Sequence, residues 1–254
     1  VSSWAGFESR MDRNSDFILD ILKSRDQKAT FFVLGWIAEK YPWIVKNIMA
    51  DGHNIGTHSY AHQLVYKQSP GEFESDLVKS IEVIGNITGK NVESYRAPGF
   101  SIRETESWAF EILCRNGIKF DSSIFPAVRS HGGISGFSYN QPVIIRTDAG
   151  FIYEFPLNYR KFLNQRFIFS GGGYFRLFPK KMVDYWFTKS EYLMTYFHPR
   201  DFDSQQPTLK LSASRHFKSY VGLIGAREKL DYVLSRHKFV AIPEAFKLLN
   251  TADI

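Results

Sequence analysis

Ala29-Thr30-Phe31-Phe32-Val33-Leu34-Gly35 is an unbroken run of mostly apolar residues closed by a glycine, and it reads as a buried strand. Its neighbours on both sides have the helical period. Residues 9–24 place Met11, Ile18, Leu19 and Leu22 on one face of a helix. Residues 37–50 read as a second helix, stopped by Asp51-Gly52. Asn54-Ile55-Gly56-Thr57-His58 is then a short strand running into a loop.

The alternation continues along the chain. Residues 71–87 are helical, with Phe73, Leu77, Ile81 and Ile84 at helical spacing and Gly89 past the end. Residues 92–95 form a strand that runs into Arg96-Ala97-Pro98-Gly99. A helix over 104–116 is closed by Gly117, and the strand at 118–120 runs into Asp121-Ser122-Ser123. Further on, 143–145 and 151–154 read as strands, and 162–178 as a loop-rich aromatic segment containing Gly171-Gly172-Gly173. Residues 179–189 are helical, with Pro179 placed for a first turn. Residues 192–197 read as a strand ending at His198-Pro199, 215–236 contain helix, and 239–242 make a last strand before a C-terminal helix. Strand-then-helix order predicts an α/β fold with parallel strands inside and helices outside. Polar residues at strand ends (His58, Arg96, Asp121, Glu154, His198) match a (β/α) barrel, whose chemistry gathers at the C-terminal ends of its strands. Neither an internal repeat nor a linker divides the chain, so residues 1–254 are expected to be one domain.

Composition narrows the function classes. A hydrophobic content of 44% over 254 residues supports a sizeable core. The net charge of +6 comes from scattered Lys and Arg with no long basic run, which argues against a nucleic-acid footprint. There is no Gly-x-Gly-x-x-Gly and no P-loop pattern. Cys114 is the single cysteine, so no intrachain disulfide forms, and its apolar helical context reads as a buried small hydrophobe. No run approaches the ~20 apolar residues that span a bilayer. The opening Val1-Ser2-Ser3-Trp4 lacks an initiator Met and carries no signal-peptide pattern, and is read as the start of a fragment or processed form. A bacterial cytoplasmic location is expected, with the periplasm as the other possibility.

Four constellations bear chemistry. In Thr57-His58-Ser59-Tyr60-Ala61-His62 two histidines four residues apart can present both imidazoles to one ion. Such a spacing alone is coincidence roughly twice as often as it is a ligand pair. Here it follows a strand and sits behind Gly52-His53-Asn54-Ile55-Gly56, which reverses the odds. Arg96, before a Pro-Gly turn, can hold a carboxylate by a two-pronged contact. Asp121 either orients a histidine or caps its own loop. His198, ending an apolar strand, suits a general acid near neutral pH.

Taken together and in this order, these residues resemble the polysaccharide deacetylases of the NodB-homology family, carbohydrate esterase family four. Lys28-Ala29-Thr30-Phe31-Phe32-Val33-Leu34-Gly35 resembles the family's strand, and Gly52 through His62 its metal motif. Gly171-Gly172-Gly173-Tyr174-Phe175-Arg176, His198-Pro199-Arg200-Asp201-Phe202-Asp203 and the stretch from His216 to Gly222 resemble a subgroup associated with bacterial exopolysaccharide synthesis. The resemblance implies a distorted barrel with fewer than eight strand–helix units, about seven. It also implies a divalent metal, usually Zn2+ and otherwise Co2+, Ni2+ or Mn2+, held by His58, His62 and an aspartate. Arg96 would orient the catalytic base, Asp121 would tune the catalytic histidine, and His198 would be the general acid. The substrate would be an N-acetylated glycan, and the reaction removal of its acetyl groups.

One family motif is missing. The Thr-Phe-Asp-x-Asp-like strand end that supplies the base and the third ligand has no counterpart, and Asp12, Asp16 and Asp20 lie in a helical pattern instead. The simplest expectation is that the motif and its strand precede residue 1. Two other function classes stay open at this point: a glycan-binding form without catalysis, and a related amidohydrolase acting on a small amide.

Overall fold

The computed structural model describes residues 10–127, 132–163 and 165–252, so the opening Val1-Ser2-Ser3-Trp4 lies outside the described residues. The chain forms two compact units, one of Val1–Gln27 with Phe169–Lys238 and one of Lys28–Ile168 with Phe239–Ile254.

The second of these, the sheet unit, carries a six-stranded sheet. Its strands are β1 (Thr30–Val33), β2 (Asn54–Thr57), β3 (Ser94–Tyr95), β4 (Phe120–Asp121), β5 (Val143–Thr147) and β6 (Gly150–Glu154). They lie in the order β1-β2-β3-β4-β6-β5. β1 to β4 and β6 are parallel throughout, as the alternation predicts. β5 is the exception, pairing antiparallel with β6 from Val143 opposite Glu154 to Thr147 opposite Gly150. Only Asp148 and Ala149 separate the two strands, and so short a connection cannot make a parallel crossover. A separate hairpin pairs β7 (Tyr159–Phe162) with β8 (Gln165–Ile168), where the sequence suggested only loop.

The helices of this unit follow their local signals. α4 (Pro70–Thr88) has every boundary device: Ser69 and Glu72 form a capping box, Pro70 opens the first turn, and Gly89 closes the end at φ 64°. It buries Phe73, Leu77, Ser80 and Ile84, a single face at helical spacing. Phe73 and Leu77 join Tyr95, Phe110, Leu113 and Ile152 in the core beneath the sheet. Truncating Phe73 to alanine would cost about 3–5 kcal/mol. The single helix expected over 37–50 is two, α2 (Gly35–Lys40) and α3 (Pro42–Ala50), broken at Tyr41 because Pro42 disfavours a helical residue before it. α5 (Trp108–Arg115) follows a short 3-10 turn at Glu104–Glu106. Cys114 is half-buried rather than buried, with its Sγ 3.3 Å from the Ala149 carbonyl. Residues 239–241 form no strand. They follow β1 instead, with Lys28 N donating to Phe239 O and Ile242 N to Thr30 Oγ1, before α10 (Ile242–Ala252).

The other unit is helical. α1 (Met11–Ser24) carries Asp12, Asp16 and Asp20, so these three are helical, as their spacing indicates. α6 (Gly172–Leu177), α7 (Lys180–Thr188), α8 (Ala213–Tyr220) and α9 (Ala226–Leu234) complete it. The strand expected over 192–197 is reduced to one parallel bridge between Gly171 and Tyr196. An apolar run marks a buried segment, but a strand also needs a partner for its backbone. No helix among the described residues is long and apolar enough to cross a membrane.

Candidate active-site residues

β2 delivers His58 at its C-terminal end, where His58 N donates to Val33 O of β1. The chain then turns sharply. Ser59 (φ 68°) and His62 (φ 58°) both occupy the left-handed region, which is costly for residues with a Cβ and persists only where surroundings enforce it. Ser59 Oγ accepts His62 N at 3.0 Å, closing the turn on itself. Gly35 N donates to Ser59 O at 2.9 Å, and Trp36 N to Tyr60 O. Gly35 is a glycine for a reason of space: a Cβ there would stand 2.6 Å from the Tyr60 ring and 2.8 Å from Ser80 Oγ. The turn brings the two imidazoles together, their ring centres 5.3 Å apart at an interplanar angle of 70°.

His58 Nδ1 lies 2.6 Å from the carbonyl of Arg96 at the end of β3. A carbonyl oxygen only accepts, so Nδ1 carries the proton and Nε2 presents its lone pair. That is the tautomer and the outer-shell bond found in histidines that ligate metals. Two imidazoles on one turn are a donor type that suits a late first-row divalent ion. Among the described residues no group of three or more His, Cys, Asp or Glu is arranged to hold an ion.

Arg96 is turned toward β4. Its Nε donates to Ser122 O at 3.0 Å and a terminal nitrogen to Ser122 Oγ at 2.7 Å. The guanidinium lies over the rings of Phe32 and Phe100, at 4.5 and 5.5 Å. Asp121 is fully buried, accepting Ser123 N at 3.0 Å and Ser123 Oγ at 2.7 Å. Its other partner is the buried Glu154 at the end of β6, which accepts Ile124 N at 3.0 Å. Burial pushes both carboxyls above their ordinary range, Glu154 much further because Asp121 adds its charge. The Glu154 contact, hydrogen bonds from Ser123 and the nearby Arg96 charge hold Asp121 back, so Glu154 is the more strongly raised of the two. Sequence reading found Asp121 and noted Glu154 at a strand end. It missed that the two share one buried site, because residues 33 apart give no sequence sign of meeting.

His198 belongs to the helical unit and caps a short 3-10 helix, Pro199–Phe202. Its ring is 62% exposed, open enough to meet a ligand, and its Nδ1 stands 3.6 Å from Asp201 Oδ2. His198 N donates to the same oxygen at 2.9 Å. Behind it the buried Arg176 guanidinium lies 3.3 Å from Asp201 Oδ1. Burial opposes the Asp201 charge, but the contacts with His198 and Arg176 outweigh it and hold the carboxyl below its ordinary range. Arg176 also donates to the carbonyls of Ser219 and Val221, which fixes the chain after α8. Thus the carboxylate beside His198 within its own unit is Asp201, three residues on, a relation the sequence carried and the resemblance to the family obscured.

The polysaccharide deacetylase family matches residues 4–111, and a domain of unknown function (DUF3473) matches residues 122–247. A peptidoglycan-N-acetylglucosamine deacetylase of Bacillus cereus is 41% identical over 95 residues, 37% of this chain and 34% of that protein. A peptidoglycan deacetylase of Helicobacter pylori is 31% identical over 107 residues, 42% of this chain and 36% of that protein. The matched segment therefore spans about a third of the length of these curated relatives. Among solved structures, one described as a polysaccharide deacetylase from Mycobacterium smegmatis aligns with a TM-score of 0.62 at 17% identity, covering 95% of this chain and 78% of that one. The peptidoglycan deacetylase PdaC of Bacillus subtilis aligns at 0.52 and 14% identity, covering 97% and 89%. At these identities the likeness establishes the α/β deacetylase fold alone. The likeness to the polysaccharide deacetylase family is thus carried by residues 4–111, and the fold is that of solved polysaccharide deacetylases.

Proposed function

We propose that this protein removes N-acetyl groups from a bacterial glycan built on N-acetylglucosamine, with a divalent metal held by His58 and His62. The observation that carries this reading is the turn that sets the His58 and His62 rings 5.3 Å apart, with His58 Nδ1 held on the Arg96 carbonyl so that Nε2 is the lone-pair nitrogen of that ring. The 41% identity of 95 residues to a peptidoglycan-N-acetylglucosamine deacetylase supports the substrate class. The exopolysaccharide context rests on the resemblance of residues 171–176, 198–203 and 216–222 to that subgroup.

The reaction breaks the amide C–N bond of an acetamido group. Water supplies its oxygen to the acyl carbon and a proton to the nitrogen, giving acetate and a free amine. A Zn2+, Co2+, Ni2+ or Mn2+ ion bound at the two histidines would supply Lewis acidity toward the acetyl oxygen and a lowered pKa for water. His58 and His62 bind and orient. Arg96 holds the loop after β3 against Ser122 and thereby fixes the carbonyl that sets the His58 tautomer. His198 delivers the proton to the leaving nitrogen, a role assigned on its place in the family's order of motifs. Asp201 steadies its ring. Asp121, enclosed with Glu154, braces the ends of β4 and β6. The acceptor of the water proton is not assigned to a described residue.

The test is acetate release from an N-acetylglucosamine oligomer by the full protein. Release should stop on chelation and return with Zn2+. Glycan binding without release, in metal-loaded full-length protein, would replace this reading with a binding role.

A further inference from the structure

A turn containing two left-handed residues with side chains needs an outside hold, and the hold here comes from one face of α4. Asp76 meets the turn at its apex. Its Oδ1 accepts Tyr60 N and its Oδ2 accepts Ala61 N, each at 2.9 Å. These are the two consecutive amides nearest the middle of the segment between His58 and His62. One turn further along α4, Lys79 lies 3.7 Å from the centre of the Tyr60 ring. Ser80 Oγ donates to Ser59 O at 3.2 Å and stands 2.6 Å from Thr57 Oγ1. Asp76, Lys79 and Ser80 thus share a helix face turned toward the turn, as their three- and four-residue spacing requires.

We infer that Asp76 is a positioning residue for metal binding: its carboxylate clamps the Tyr60 and Ala61 amides and so presents both imidazoles to one ion. The inference rests on the reading of His58 and His62 as metal ligands. A carboxylate accepting two backbone amides is a charge-assisted contact at each oxygen. Neither amide has a partner within the turn's own closing bond, which runs from His62 N to Ser59 Oγ. The middle of the turn is therefore set by Asp76 and the edge by Ser59. Asparagine at 76 keeps one acceptor oxygen, and alanine keeps none.

The experiment is calorimetric titration of metal-stripped protein with Zn2+, comparing the parent with Asp76→Asn, Asp76→Ala and Glu82→Gln. Glu82 is exposed on the same helix, so its change controls for loss of one negative charge. Asp76→Ala should weaken binding by about 10- to 100-fold, the range seen when an outer-shell partner is removed. Asp76→Asn should fall between it and the parent, and Glu82→Gln should match the parent. Amide hydrogen exchange on the metal-free proteins gives a second readout, in which Tyr60 and Ala61 exchange faster in Asp76→Ala while the buried turns of α4 stay protected. Affinities within twofold of the parent, or equal losses in Asp76→Ala and Glu82→Gln, would overturn the inference and leave the metal site standing. A parent that binds no Zn2+ would remove the reading beneath it as well. If Asp76→Ala unfolds, Asp76→Asn and its exchange pattern decide.

Discussion

The His58–His62 turn and the His198 turn hold their histidines in opposite ways. His58 is bonded to a backbone carbonyl at 2.6 Å, and its turn is pinned by Ser59, Asp76, Gly35 and Trp36. His198 is 62% exposed, and its ring faces one carboxylate at 3.6 Å. A ligand pair has to be in place before the ion arrives, because ordering it afterwards costs affinity. A proton donor must instead reach a leaving group, and access matters more than rigidity. The two constructions suit the two roles proposed for them.

The sharpest way to break this comparison is to remove a ligand. His58→Ala or His62→Ala should lower Zn2+ affinity and acetate release by more than about 100-fold, beyond the range of outer-shell changes. Equal Zn2+ binding in both variants would end the assignment. His198→Gln should lower kcat by about 10²- to 10⁴-fold while leaving Zn2+ affinity unaltered. A loss confined to KM would make His198 a substrate contact instead. Asp201→Asn should give a smaller loss, about tenfold, with a changed pH profile of kcat. It should also change acid stability. The folded Asp201 carboxyl sits below its ordinary range, so its contribution is present above that range and is lost as pH falls through the folded value. Urea unfolding between neutral and acid pH should therefore be flatter in Asp201→Asn than in the parent.

Two further changes probe the sheet unit without touching a histidine. Gly35→Ala pushes a methyl against Tyr60 and Ser80, and should cost about 1–3 kcal/mol of stability by urea unfolding. It should weaken Zn2+ binding too, since the turn rests on that glycine. Glu154→Gln is the smallest expected effect, within about 1 kcal/mol, because an amide of the same shape keeps the oxygen that accepts Ile124 N. Its signature lies at higher pH. A raised folded value means that the stability Glu154 contributes is lost as pH rises above the ordinary carboxylate range toward the folded value. The parent should lose stability there relative to Glu154→Gln, and parallel curves would show that burial does not raise the Glu154 carboxyl.

Legibility in the sequence followed how local each cause was. α4 could be read to within a residue or two, because its cap, opening proline, closing glycine and apolar face all lie inside it. The break at Tyr41 was equally local, written in Pro42, and was overlooked against a good helical period. The runs at 192–197 and 239–242 showed the apolar character of strands, yet strand formation depends on a partner that hydropathy does not name. The hairpin of β5 and β6 was hidden by reading every strand as parallel.

The sequence by itself determined the alternating α/β order, the two-histidine motif behind its strand, and the order of Arg96, Asp121 and His198. Those depend on residue type, period and succession, which the chain displays directly. Only the tertiary structure decided the tautomer of His58, the pairing of Asp121 with Glu154 and the hold of Asp76 on the turn. Each of these is a contact between distant positions, where a few tenths of an ångström separate a hydrogen bond from none. The two histidines are written in the sequence, and the placement of their rings comes from the fold around them.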